Sequence, residues 1–163
     1  MTMTQRSIGN PVRLLLHVPV PWVFVLSYLI GLGLESAFPP GINKDALPGV
    51  TSAGVIIFFA GAVIAARSLL IFHKARTTTV PGQASSKLVT WGPYRISRNP
   101  MYVGLIVAYL GEAAILKQLW PVIILPLTIA YVHSIVIPVE EAKLSEVFGE
   151  DYKRYRGRVR RWI

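Results

Sequence analysis

Residues 98–141 read RNPMYVGLIVAYLGEAAILKQLWPVIILPLTIAYVHSIVIPVEE. After Arg98 the run meets no charged residue until Glu112, and after Lys117 it meets none until Glu140. The 22 residues between Lys117 and Glu140 exceed the ~20 that a helix needs to cross the hydrocarbon of a bilayer. The segment from Arg98 to Glu112 is shorter. It reaches spanning length only if the helix runs on to Leu116, with Glu112 in its last turn. Lys117-Gln118 then makes a tight turn and the two segments form a helical hairpin. A re-entrant first arm is the competing reading.

Two further charge-free gaps, Arg13 to Glu35 and Asp45 to Arg67, hold 21 residues each. The chain is therefore expected to be an all-α integral membrane helix bundle, one domain over 1–163, with spans at about 19–38, 48–72, 100–116 and 119–138. Composition agrees. Mean hydropathy is +0.50 and 15% of the 163 residues are charged, against ~25% in soluble domains. The segment from Val18 to Leu34 is too long and too poorly punctuated for a cleavable signal peptide. The absence of cysteine excludes disulfides, thiolate metal sites and a cysteine nucleophile.

The net charge of +9 would point a soluble protein to nucleic acid. In a membrane protein it marks the cytoplasmic edge and contact with anionic lipid headgroups, so no nucleic-acid partner is expected. Arg6 and Arg13 precede the first span. Lys74, Arg76, Lys87, Arg95 and Arg98 lie between the second and third, and seven Lys or Arg follow from Lys143 on. The first loop carries Glu35, Lys44 and Asp45. Basic and non-basic connections alternate, which predicts both termini in the cytoplasm, in a bacterial or archaeal inner membrane. In the tail, Leu144, Val147, Phe148, Tyr152, Tyr155 and Val159 recur every three or four residues. This is one apolar face of a helix over about 140–158, interrupted at Gly149. It is expected to lie on the membrane surface or to fold back on the hairpin.

Three polar clusters fall on this basic side: Arg76 to Thr90, Gly92 to Gly104, and Glu140-Glu141. A hairpin brings its ends together, so Asn99–Tyr102 and Glu140–Glu141 are expected to be neighbours. Several of these residues also have structural readings. Asn99-Pro100 is a helix start, Arg95 and Arg98 are positive anchors, and Tyr94 and Tyr102 suit an interfacial belt. His133 suits a hydrogen bond between packed helices, Arg67 can snorkel, and Gly54 and Gly61 suit close packing. Glu140-Glu141 is different. Adjacent acids at the inner edge of a span repel each other and invite a cation, either Arg95 or Arg98 or a ligand.

The run from Leu88 to Gly104, with Trp91-Gly92-Pro93-Tyr94-Arg95 and Arg98-Asn99-Pro100-Met101-Tyr102, resembles the signature of the isoprenylcysteine carboxyl methyltransferase family and its phospholipid methyltransferase relatives. Ile137-Pro138-Val139-Glu140-Glu141, Phe148-Gly149, Tyr152, Tyr155 and Val159-Arg160-Arg161-Trp162 are similar to the family's C-terminal block. The resemblance implies transfer of a methyl group from S-adenosylmethionine, leaving S-adenosylhomocysteine, to a lipophilic small-molecule or lipid acceptor in the membrane. It also implies a cofactor site built from Thr79, Ser86, Lys87, Leu88, Val89, Tyr94, Asn99, Pro100, Met101, Tyr102 and Glu140, with Arg95, Arg98 and Glu141 at the reacting groups. It implies no metal.

The chain departs from the family pattern at two places. Asn99 stands where eukaryotic members show His, which keeps a donor and an acceptor but cannot titrate near neutrality. Ile135, Val136, Ile137 and Val139 occupy positions where relatives carry an Arg suited to a substrate carboxylate, leaving that task to Arg95 or Arg98. Three other readings compete: a phospholipid N-methyltransferase, an NADPH-dependent membrane reductase, and a non-enzymatic scaffold. The scaffold reading leaves the acidic pair and the two ordered motifs unexplained.

Overall fold

The computed structural model describes residues 19–41, 48–74 and 87–163. Thr79 and Ser86, and the stretch around them, lie outside the described residues. The described chain forms helices α1 (Val20–Ala37), α2 (Val50–Lys74), α3 (Pro100–Ile115), α4 (Trp120–Tyr131) and α5 (Ile137–Arg158). A short 3-10 turn lies at Gly92–Arg95, and a π-helical segment at Val132–Val136 joins α4 to α5. The fold is the expected all-α membrane bundle. Three continuous helical stretches are long and apolar enough to cross a membrane: α1, α2, and the one that begins at Trp120. α3 is a shorter apolar helix of 16 residues.

The tight turn after α3 follows from its hydrogen bonds. Lys117 takes a left-handed backbone (φ 49°). Its N–H reaches the carbonyl of Ala114 at 3.2 Å and that of Gln118 the carbonyl of Ala113 at 2.9 Å, the two-bond helix ending usually built on glycine. Yet the arms of this hairpin pack mainly on other helices, α3 along α2 and α4 along α1.

The α2–α3 pairing is set by glycine. A Cβ on Gly61 would lie 2.3 Å from the backbone nitrogen of Ala108, and one on Gly104 2.5 Å from that of Ala65. Gly111 meets Phe58 N at 2.3 Å and Gly54 meets Ile115 N at 2.7 Å in the same way. Within lipid no hydrophobic driving force separates one apolar helix pair from another, so close backbone approach over small residues selects the partner. The α1–α4 pairing is polar at its far end. Glu35 on α1 accepts the N–H groups of Leu119 and Trp120, both at 3.1 Å, and so caps α4 at its positive end. The Trp120 indole donates to the carbonyl of Phe38 at 2.7 Å. Phe24, Tyr28 and Tyr109 stack edge to face between α1 and α3, above a core that includes Leu125, Val132, Val136 and Ile137.

The tail helix is a continuation of the fourth span. Pro138 cannot donate to the carbonyl of Ser134 and its ring crowds that group. The π turn just before it absorbs the mismatch, with Ile137 N–H bonding to Val132. The helix then breaks where the periodicity broke, at Gly149 (φ 49°, ψ −120°), a conformation close to the first central position of a type II′ turn and open in practice to glycine alone. Beyond it the chain folds back. Tyr152 and Tyr155 are buried, and the Tyr155 hydroxyl donates to the carbonyl of Tyr94 at 2.7 Å.

Gly149→Ala is expected to cost about 1–3 kcal/mol and to loosen everything after the bend. The added methyl meets nothing within 4 Å, so the penalty is conformational. Limited trypsin digestion in detergent should then cleave between Lys153 and Arg161 faster in Gly149→Ala than in Gly157→Ala, where space is equally open and the backbone is not in the left-handed region. Equal rates would show that the bend does not depend on glycine.

Candidate functional site

The two ends of the hairpin meet. The Tyr102 hydroxyl, on the first turn of α3, donates to Glu140 Oε1 at 2.6 Å. Arg98 Nη1 lies 3.1 Å from Glu141 Oε1, with both side chains almost wholly buried. The neighbours expected from connectivity alone are therefore neighbours in space.

The adjacent acids have opposite surroundings. Glu141 is held by two guanidiniums. Besides Arg98, Arg161 grips it with both prongs, Nε to Oε1 at 3.1 Å and Nη2 to Oε2 at 2.7 Å. Fork-on-fork pairing of this kind is the strong form of ion pair, and it holds the Arg161 guanidinium above its ordinary pKa. Glu140, by contrast, has no cationic partner among the described residues. Its one hydrogen bond comes from Tyr102. Burial, opposed by that hydrogen bond and aided by the charge of Glu141, pushes its carboxyl up from the ordinary 4.5 to about 7. Burial, then Tyr155, then the charge of Glu140 push the Tyr94 phenol well above its ordinary range, so Tyr94 is a neutral neighbour of the same carboxyl.

Asn99 stands at the start of α3, followed by Pro100 in the first turn, as the pattern implied. Its side chain makes no capping bond. The Nδ2 group donates instead to the carbonyl of Arg161 at 2.9 Å, while the Ser97 hydroxyl accepts the Asn99 N–H at 3.0 Å. The Arg98 N–H bonds the carbonyl of Arg160 at 2.9 Å, and Ser97 pairs with Arg160 in a single parallel bridge. The segment Arg160–Trp162 is thus strapped across the head of α3.

Of the residues singled out in the sequence, Arg98, Asn99, Tyr102, Glu140 and Glu141 gather in this cluster, with Tyr94 beside it. Val89 packs with Tyr94 in a small apolar group beside Phe72. Leu88 is half-buried, Pro100 is buried and Met101 packs on the core, whereas Lys87 and Arg95 face outward. Thr79 and Ser86 lie outside the described residues. Arg161, with Tyr152 and Tyr155, belongs to the site and was missed as a site residue. Its marks in the sequence were membership of the basic, aromatic tail and of the Val159-Arg160-Arg161-Trp162 stretch that resembles the family's C-terminal block. One donor in the cluster is left over, since Arg98 Nε is buried with no hydrogen-bond partner among the described residues. Among the described residues no cluster of His, Cys, Asp or Glu has the makings of a metal site.

A small all-α membrane bundle, with an acidic pair, two arginines and four tyrosines drawn together at one end of a short helical hairpin, defines the class of this protein. The chain belongs to the phospholipid methyltransferase family, whose model matches residues 50–151, more than half of its length. It is similar to a probable protein-S-isoprenylcysteine O-methyltransferase of Oryza sativa subsp. indica, 29% identical over 114 residues that cover 68% of this chain and 59% of the relative. The Schizosaccharomyces pombe protein-S-isoprenylcysteine O-methyltransferase is 36% identical over 72 residues, 44% of this chain and 30% of the relative. The nickel-cobalt-cadmium resistance protein NccN of Alcaligenes xylosoxydans xylosoxydans is 38% identical over 77 residues, 46% of this chain and 36% of the relative. The chain thus spans about three fifths or less of the length of these relatives. No solved structure gives a significant match.

Proposed function

We propose that this protein transfers a methyl group from S-adenosylmethionine to a lipophilic, membrane-resident acceptor, a carboxylate, thiol or amine, at the cytoplasmic face, with both chain ends on that side. The observation that carries this reading is the asymmetry of the acidic pair. Among the described residues Glu141 is neutralised twice over, while Glu140 has no cation and the neighbouring Arg98 retains an unused N–H. A carboxylate without a cation beside a guanidinium without its full complement of acceptors suits a zwitterion, such as the amino-acid end of this cofactor.

On this reading Glu140 holds the ammonium and Arg98 the carboxylate of the cofactor. Tyr94 and Tyr102 line the pocket, and the backbone around Leu88, Val89 and Asn99 to Met101 holds the adenosine. Glu141 keeps Arg98 in place, and Arg95 faces the headgroups. Bound there, the cofactor supplies an electrophilic methyl on a positively charged sulfur. A carboxylate acceptor attacks without a base. An amine acceptor must first shed a proton. A phospholipid amine stays within the proposed range. The family names of the relatives and the apolar helices support a membrane acceptor.

The test is calorimetric titration of S-adenosylhomocysteine into detergent-purified protein, with NADPH as the rival ligand. Micromolar binding of S-adenosylhomocysteine alone is the expected result. Binding of NADPH alone would replace the reading with a reductase, and binding of neither by folded protein would leave the motifs structural.

A further inference from the structure

His133 has no role in the site so far described. It sits on the π segment between α4 and α5, where a widened turn re-aims side chains and often marks function. The Trp162 indole N–H donates to His133 Nδ1 at 3.0 Å, and the two rings stack at 6.1 Å with a 20° tilt. An indole N–H can only donate. Nδ1 is therefore the acceptor, and the proton of the neutral imidazole lies on Nε2. That second nitrogen has no partner among the described residues, and the side chain is exposed.

Its position gives the exposed N–H a meaning. His133 precedes Glu140 by seven residues on one continuous helical path, about 10 Å further along the span at 1.5 Å per residue. It lies on the same side as the acidic pair, because consecutive residues of the strap touch both: Arg161 holds Glu141 and Trp162 holds His133. An exposed N–H is free to donate to an oxygen acceptor on a ligand. A donor also cannot receive an ammonium, which has no lone pair to offer.

We propose that His133 Nε2–H, oriented by Trp162, is a docking point for an oxyanion, carboxylate or phosphate, on an amphiphile that reaches the site sideways from the bilayer. As a station for the methyl acceptor this rests on the methyltransferase reading. As a ligand-binding group it stands on the His133–Trp162 geometry alone. His133 and Glu140 lie on one continuous helical path, so one amphiphile can lie along the helix with its oxygen at His133.

The chain has three histidines, so nitrogen-15 histidine labelling in dodecyl maltoside micelles resolves the question, with His133 assigned by loss of its signal in His133→Gln and by its displacement in Trp162→Phe. The expected result is an Nε2–H tautomer whose signal shifts saturably with dodecanoate or dodecyl phosphate and stays unmoved by dodecylamine. Whichever of the two anions acts at lower concentration identifies the headgroup chemistry. An Nδ1–H tautomer, a signal blind to all three amphiphiles, or an equal shift with dodecylamine would overturn the proposal. Titration of the same samples with S-adenosylhomocysteine reports on the methyltransferase reading separately, since the amphiphile shift requires no cofactor.

Discussion

Glu140→Gln is expected to weaken S-adenosylhomocysteine binding by roughly thirtyfold or more, the consequence of removing one partner from a charge-assisted contact worth about 2 kcal/mol or more. The substitution is nearly isosteric, and glutamine can still accept the Tyr102 hydrogen bond, so the fold should survive. The pH dependence is the sharper readout. Glu140 ionises at about 7 in the ligand-free protein, and only the carboxylate attracts an ammonium. Wild-type affinity should therefore rise about tenfold between pH 6 and pH 8, the change in ionised fraction for a group centred near 7. Glu140→Gln should show no such rise.

Folding stability has the opposite sign. A carboxyl raised from 4.5 is harder to ionise in the folded chain than in the unfolded one. Its contribution to stability is lost as pH rises from about 5 to 8, and the variant lacks that slope. A wild-type affinity that is flat with pH, together with an unaltered affinity in Glu140→Gln, would remove Glu140 from the site.

Gly61→Val and Gly111→Val are expected to abolish folding of the bundle, judged by loss of a monodisperse peak in detergent and of any cooperative thermal transition. Ordinary overpacking of a core costs about 1–3 kcal/mol because side chains can shift. Here the obstacle is backbone: Ala108 N and Gly104 O against Gly61, Phe58 N and Gly54 O against Gly111. Neither can move without parting α2 from α3 along the whole contact. Gly33→Ala on α1 is the control. Its Cβ would meet nothing within 4 Å, so the substitution should be neutral or gain about 0.5–1 kcal/mol from helix propensity. If Gly61→Val purified as a folded protein, the close approach of α2 and α3 would not be what holds the bundle.

The NccN relative carries a name outside lipid modification. The acceptor is therefore best sought with a panel of amphiphiles rather than with one prenylated substrate. The strap over the head of α3 touches both groups through consecutive residues, Arg161 on Glu141 and Trp162 on His133.

Much of this was readable in the amino-acid order. Charge-free gaps located the apolar helices, because an unpaired ion in hydrocarbon is too costly to be common. A span placed after a two-residue turn brought Tyr102 to Glu140 by connectivity, and the broken periodicity at Gly149 marked the bend. Other features were decided only in three dimensions. Four apolar helices can pair in several ways, and in lipid their side chains offer little to choose between. The reciprocal fit of Gly54 and Gly61 against Gly104 and Gly111 made α2 and α3 partners, though only the first two could be suspected of packing. Asn99 had the composition of a helix cap, yet a carbonyl 62 residues away claimed its side chain. Glu140 and Glu141 are the same residue type side by side, but on a helix neighbours point about 100° apart. One therefore faces Arg98 and Arg161 while the other faces a tyrosine. Sequence identified the pair; tertiary packing determined which of the two is left without a cationic partner among the described residues.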